Sequence, residues 1–317
     1  MTALFLKKEI FPCLFSKQAK GYRKIIPADL LLKDSWYGIY FKNAKIGYSH
    51  TQVTAAGKIE DVSYTITTQA FLNLSILGES QLVWLEGEAN LKENHLLKDF
   101  IFLLRMGDQK FSVEGRCKSA DKLLLKINTA SGSLEQELTV PPDLMVASLF
   151  SPFNMLANLK QREQFIINFF NPVTQGIESA RVRVLRREKL LASGVLSEAL
   201  VIESDSQGFK TITWVDADKG DILRQETPLG WTVIKEPQLE AVNFVRHKTW
   251  EKRDLASALS IRTNLTLPAG VKYLKLSIRN LDPGFSIIRD ERQRFLKRSP
   301  EETVLEINSF PLATEQT

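Results

Sequence analysis

The sequence predicts a mainly β (α+β) chain: a large curved antiparallel sheet wrapped around short helices, followed by a small C-terminal β unit. Three observations carry that expectation. From residue 35 to about 140, apolar and polar side chains alternate in short runs separated by turn residues, the period-two pattern of half-buried strands. Runs of the same kind resume from 163 to 235, after a stretch with helical spacing. The chain has 317 residues, 44% of them hydrophobic and 25% charged. That composition supports a sizeable core and is neither that of a disordered chain nor that of a membrane-embedded one. One large β domain occupies ~200–250 residues, so a second, smaller unit is expected.

The first hairpin is the clearest element. Trp36-Tyr37-Gly38-Ile39-Tyr40-Phe41 runs into the turn Lys42-Asn43-Ala44-Lys45 and returns through Ile46 to Val53. Further strands are expected at about 60–71, 79–87, 95–105, 109–117, 121–129 and 133–140. Gly107-Asp108, Ser119-Ala120-Asp121 and Ser131-Gly132 supply the positive φ or local side-chain bonding that turns between them require. Pro141-Pro142-Asp143 then closes the run. Leu144, Ala147, Leu149, Met155, Leu156 and Leu159 have the spacing of one or two short helices near 142–160, broken by Pro152. Strands are expected again at about 163–171, 177–188, 195–204, 207–216, 221–227 and 230–235. A connector with mixed helical pattern follows Pro237. Leu255–Leu267, Val271–Ile278 and Val304–Ile307 read as strands of a small β unit turning at Pro268-Ala269-Gly270 and Asp282-Pro283-Gly284. The expected organisation is therefore a basic arm at 1–34, the curved sheet domain at 35–236, and the connector with its small β unit at 237–317.

The balance of 42 basic against 37 acidic residues leaves a net charge of +5. That is mild for this length and unlike the concentrated basic face of a nucleic-acid binder, so nucleic acid is not an expected partner. The basic residues of the arm, Lys7, Lys8, Lys17, Lys20, Arg23 and Lys24, could meet an anionic membrane surface, at roughly 1 kcal/mol each. No uninterrupted apolar region of a signal peptide and no membrane span is visible, which read alone points to a cytoplasmic chain or to a gene start that has lost its export signal. Cys13 and Cys117 are the only cysteines, and neither has a second thiolate or a histidine at zinc spacing. No disulfide framework, metal site or cofactor is expected.

Two stretches carry a resemblance. Trp36-Tyr37-Gly38-Ile39-Tyr40 with Lys45-Ile46-Gly47-Tyr48-Ser49-His50, and later Thr213-Trp214-Val215-Asp216-Ala217-Asp218-Lys219-Gly220-Asp221-Ile222-Leu223-Arg224-Gln225-Glu226, resemble the N-terminal, pre-catalytic region of bacterial transglutaminase-like envelope proteins. That region is similar in fold to periplasmic lipoprotein carriers. The tail, with Asp254-Leu255, Ser260-Ile261, Leu267-Pro268, Leu274-Lys275-Leu276 and Arg292-Gln293, is similar to the β unit that precedes a transglutaminase core. The resemblance spans roughly residues 35–310. It implies a cell-envelope or periplasmic location and a non-catalytic accessory module whose partner is a protein or a downstream transglutaminase-like domain. The family's catalytic cysteine, histidine and aspartate would lie past Thr317.

The residues themselves supply no catalytic set. Cys117, His247 and Asp254 occur in the right order for a triad. Yet Cys117 stands late in a strand instead of at a helix N-terminus, where a thiolate would be stabilised. His50, His95 and His247 lie in separate elements, and the carboxylates of Glu86 and Glu88 have no sugar platform beside them. No glycine-rich phosphate loop exists. The remaining functional candidate is an apolar groove on the concave sheet face, formed by Phe71, Leu74, Ile76, Phe100, Phe102, Phe150, Phe153 and Met155. Such a groove would hold an acyl chain, making the chain a lipid or lipoprotein carrier, the alternative to an accessory module.

Overall fold

The computed structural model describes residues 17–18, 21–27, 30–59, 62–76, 78–147, 156, 159–192, 194–206, 208–243, 270–279, 293–299 and 301–308. The chain divides into two compact units, residues 1–206 with 210–259, and residues 207–209 with 260–317.

One sheet of 16 strands organises the first unit. After β1 (Lys17–Gln18) the chain makes a single 3₁₀ turn, Gly21–Lys24. It then runs β2 (Leu32–Phe41), β3 (Ala44–Ile59), β4 (Val62–Ile76), β5 (Glu79–Leu91), β6 (Leu97–Met106), β7 (Gln109–Cys117), β8 (Lys122–Thr129) and β9 (Gly132–Thr139) as a continuous antiparallel meander. The two-residue strand β10 (Met145–Val146) follows. The second run is β11 (Gln164–Asn171), β12 (Gly176–Ala192), β13 (Val195–Ser206), β14 (Phe209–Asp216), β15 (Ile222–Glu226) and β16 (Trp231–Lys235). The two runs join where β16 pairs with β2, Val233 opposite Ile39. A short helix, α1 (Gln238–Asn243), follows β16.

Local chemistry explains the connections. Lys42 and Asn43 take φ of 47° and 69°, the pair of positive values a two-residue hairpin turn demands, and asparagine tolerates that region better than most residues. Residues 142–143 form a turn and Met145–Val146 form β10, pairing in parallel with Phe169–Phe170. The helices expected near 142–160 are thus not found among the described residues, and 148–155 lie outside them. The strand expected at Leu255–Leu267 also lies outside the described residues.

The sheet is rolled. β6 and β11 stand ten steps apart in strand order, which in a flat sheet would separate them by ~48 Å. Yet the rings of Phe100 on β6 and Phe170 on β11 lie with centroids 5.3 Å apart. Rolling gathers the inward side chains of β2–β8 and β11–β15 into one core that includes Phe41, Leu91, Leu123, Leu125, Ile167 and Phe170. Glycine makes room at one crowded point: a Cβ on Gly115 would lie 2.1 Å from the Phe100 ring. The cross-strand aromatic therefore covers the missing side chain.

The second unit contains a three-stranded antiparallel sheet, with β19 (Glu302–Asn308) between β17 (Tyr273–Arg279) and β18 (Gln293–Arg298). Leu305 is its most buried apolar side chain among the described residues, and Glu306 accepts a hydrogen bond from Arg294.

Candidate functional site

The five described residues of the expected groove do not share one face. On β4 the even-numbered positions from Tyr64 to Leu72 point inward, and Leu74 and Ile76 continue that row against the core. Phe71 points the other way. Its ring stacks on Tyr48 with centroids 6.0 Å apart and meets Trp84 edge-on at 5.9 Å. Trp36 extends this outer ladder, 6.1 Å from Tyr48 and stacked at 4.0 Å on His50. Two of these four contacts are stacked, one is tilted and one edge-on, and the row is built as cross-strand pairs that stabilise the sheet. Phe100 and Phe102 are buried inside, at 2% and 7% exposure. Phe150, Phe153 and Met155 lie outside the described residues.

Between Tyr22, Ile66, Thr68, Leu85, Gly87 and Val146 a cavity of about 40 Å³ remains, an order of magnitude below the ~300–1,000 Å³ of small-molecule sites.

The two ends of the large sheet differ. At one end, the free edge of β11 is covered twice. β1 pairs in parallel with Phe165–Ile166, and β10 pairs with Phe169–Phe170. The 3₁₀ turn secures this cover. Gly21 has φ +53°, and a Cβ there would stand 2.7 Å from the carbonyl oxygen of Asp143. The Val146 N–H donates to the buried Tyr22 Oη at 3.0 Å. Lys24 donates to Glu163 at 2.8 Å. Arg23, another cation of the basic arm, donates to the Asn94 carbonyl at 2.7 Å. Two of the six residues expected to meet a membrane surface are therefore engaged within the fold. No side-chain placement is described for Lys17, and Lys7, Lys8 and Lys20 lie outside the described residues.

At the other end, β9 pairs with β8 alone among the described residues. Seven of its eight residues are exposed, Leu134 at 59%. The hairpin turns through Ala130 and Ser131, so Thr129 and Gly132 form the first hydrogen-bonded pair, and every second pair after it bonds in the same way. The Val140 N–H to Asp121 carbonyl bond, 2.8 Å, keeps that parity. It leaves the backbone N–H and C=O groups of Ser133, Glu135 and Glu137 directed away from β8, along the open edge. Leu134, Gln136 and Leu138 lie opposite Ile127, Leu125 and Leu123 and carry the inner face to this border.

The polar candidates stand apart from one another. Cys117 is a free, half-buried thiol at the end of β7. It borders an open cleft of about 530 Å³ with Lys92, Glu93, Asn94, Lys98 and Arg116. Burial pushes the thiol above its ordinary pKa, Lys92 pulls it back in part and Asp99 adds to the rise, the opposite of an activated nucleophile. His247 and Asp254 lie outside the described residues. His50 bonds Asp34 at 2.9 Å, and His95 packs against Tyr64 in the turn before β6, where burial holds its pKa down. Glu86 accepts from Trp84 Nε1 at 2.6 Å and Glu88 from Asn90 at 3.3 Å, both on the outer face. Among the described residues no group of three His, Cys, Asp or Glu could hold a metal ion, and no helix is long and apolar enough to cross a membrane.

Neither a family model nor a curated protein matches the chain. Among solved structures, a beta-barrel-like protein from Brucella abortus, belonging to the domain of unknown function DUF1849, aligns with 65% of this chain and 95% of its own. The identity is 9% and the TM-score 0.44. A DUF1089 family protein from Pseudomonas aeruginosa aligns with 56% of this chain and 88% of its own, at 14% identity and TM-score 0.33.

Proposed function

We propose that the chain is a non-catalytic interaction module that binds an extended segment of a partner protein along β9, in the accessory role its likeness to transglutaminase-like envelope proteins implies. The carrying observation is the open edge itself: an exposed eight-residue strand with outward backbone groups at Ser133, Glu135 and Glu137. An added strand satisfies those groups by main-chain hydrogen bonds, and alternate side chains supply the specificity. The segment that fits carries apolar residues toward Leu134 and Leu138 and polar or basic ones toward Glu135. The cavity of about 40 Å³ lined by described residues is smaller than an acyl chain requires.

A photo-crosslinking amino acid at Ser133, installed in cells and compared with the same group at the exposed Val195, identifies the partner. The purified partner should then bind the full chain and lose at least about tenfold in affinity to Glu135→Pro, which removes one outward N–H. Equal crosslinking at both positions, or binding indifferent to Glu135→Pro, would overturn the proposal. Stoichiometric uptake of a fluorescent fatty acid would favour the carrier instead.

A further inference from the structure

β12 and β13 form a long hairpin, paired toward its end from Arg186 opposite Val201 to Ala192 opposite Val195. That end runs past both neighbouring strands. On one side β11 begins at Gln164, opposite Arg183, and the Val184 N–H donates to the Glu163 carbonyl at 2.9 Å. On the other side β14 ends at Asp216, and the Ala217 N–H donates to the Glu198 carbonyl at 2.9 Å. Among the described residues no third strand accompanies the ribbon beyond Glu198.

The projecting end is apolar. Leu191, Val195 and Leu196 are 68%, 62% and 62% exposed, and no charged residue occurs from 190 to 197. Leu191 stands opposite Leu196, whereas Leu190 and Ala192 stand opposite Ser197 and Val195. Opposed residues share a face and successive ones alternate, so apolar side chains occupy both faces of the ribbon. The hairpin tips at Lys42-Asn43, Gly107-Asp108 and Ser131-Gly132 are polar, the ordinary choice for an exposed turn. Behind the apolar end stand Arg186, Arg187 and Lys189, all exposed, with Glu188 and Glu198 among them. Arg186 bonds Glu188 at 2.7 Å and Arg187 bonds Glu198 at 3.0 Å. Ion pairs so exposed hold weakly and leave the guanidinium groups open to other anions.

This arrangement narrows what can cover the tip. An added strand pairs with one edge of a ribbon and a groove covers one of its faces, whereas a lipid surface surrounds an end that is apolar on both. The edges of a lone ribbon keep outward N–H and C=O groups, which exclude it from the hydrocarbon core. It is therefore confined to the headgroup layer, where water still reaches those groups. The three steps from Lys189 to Ala192 span ~10 Å, near the ~5–10 Å depth of interfacial segments. The cations behind the tip then meet the lipid phosphates.

We infer that the β12–β13 tip inserts shallowly into the surface of a lipid bilayer, with Leu191, Val195 and Leu196 against the acyl chains and Arg186, Arg187 and Lys189 at the phosphates. The inference does not rest on the β9 edge and stands or falls without it.

Flotation of the full chain with vesicles of phosphatidylcholine and phosphatidylglycerol in equal parts tests the assignment. Binding is expected, and Leu191→Ser combined with Leu196→Ser should weaken it at least about tenfold. Both positions are exposed, so the denaturant midpoint should stay that of the parent chain. Vesicles of phosphatidylcholine alone should bind at least about threefold more weakly, since anionic lipid attracts the basic collar. Val195→Trp supplies a readout that needs no loss of binding: its emission, added to that of the five native tryptophans, should be quenched by lipids brominated along their acyl chains. No binding to either vesicle, equal binding by the double serine variant, or no gain in quenching over the parent chain would overturn the inference. Binding that the serine variant retains and salt abolishes marks attraction through other basic residues, and overturns it likewise.

Discussion

The two ends of the large sheet solve the same problem in opposite ways. Any terminal strand presents a row of unpaired N–H and C=O groups. At β11 that row is covered by β1 and β10, and the strand beneath is deeply buried, with Phe165, Ile167, Phe169 and Phe170 at 4% exposure or less. At β9 the row faces outward and the strand is exposed almost throughout. Burial at β11 commits that edge to the fold. The contrast teaches that β9 is the edge at which pairing with another chain displaces nothing among the described residues.

The contrast can be broken most forcefully at Phe170, which is fully buried against Phe100. Phe170→Ala should destabilise by about 3–5 kcal/mol in denaturant unfolding, the range for large aromatic truncations in a core. The next effects come from the cover. Tyr22→Phe leaves the Val146 N–H without its acceptor and should cost about 1–3 kcal/mol, with faster hydrogen exchange at Val146 and Ala147. Gly21→Ala drives a Cβ toward the Asp143 carbonyl at a positive φ and should cost about 1–3 kcal/mol.

A pH titration sharpens the same comparison. Burial raises the pKa of Glu163, but bonds from Lys24 and the Lys160 N–H outweigh it, so the carboxyl sits below its ordinary value. A depressed carboxylate contributes stability that is complete above its unfolded pKa of about 4.3 and is lost as pH falls through the lower folded value. Glu137 at β9 is depressed as well, by hydrogen bonds from Lys122 and Lys118, and loses its contribution in the same direction. The two should differ in salt: the exposed β9 cluster is screened, whereas the partly buried Lys24–Glu163 pair, at 20% and 27% side-chain exposure, is screened less. Equal salt sensitivity of Lys24→Met and Lys122→Met variants would remove this distinction. The smallest effect is expected from Glu135→Pro, whose N–H bonds nothing on β8 and whose stability should change by no more than about 0.5 kcal/mol.

Much of this was legible in the sequence. The order of strands from 35 to 235 follows from period-two alternation and from turn residues such as Lys42-Asn43, because both act locally. β10 was not legible. Leu144, Ala147 and Leu149 have helical spacing, and the pairing of Met145–Val146 with Phe169–Phe170 is set by a strand more than twenty residues away. The basic strand Gln293–Arg298 was missed for a similar reason, since it is held by pairing with β19 and not by its own pattern. The grouping of Phe71 with Leu74 and Ile76 rested on apolarity. Parity along β4 separates them, and that signal was present in the sequence. The ion pairs of Lys33 on β2 and Lys235 on β16 with Asp221, just before β15, join residues distant in sequence, and the pairing of β16 with β2 brings the lysines together.

The central claim is that binding takes place on the β9 edge and not in the interior. It is tested most directly by measuring the affinity of the crosslinked partner for two variants side by side: Glu135→Pro at the edge and Thr68→Leu, which fills the inner cavity. Loss of at least about tenfold in the first and no change in the second is the expected result. Loss in Thr68→Leu with full binding by Glu135→Pro would contradict it.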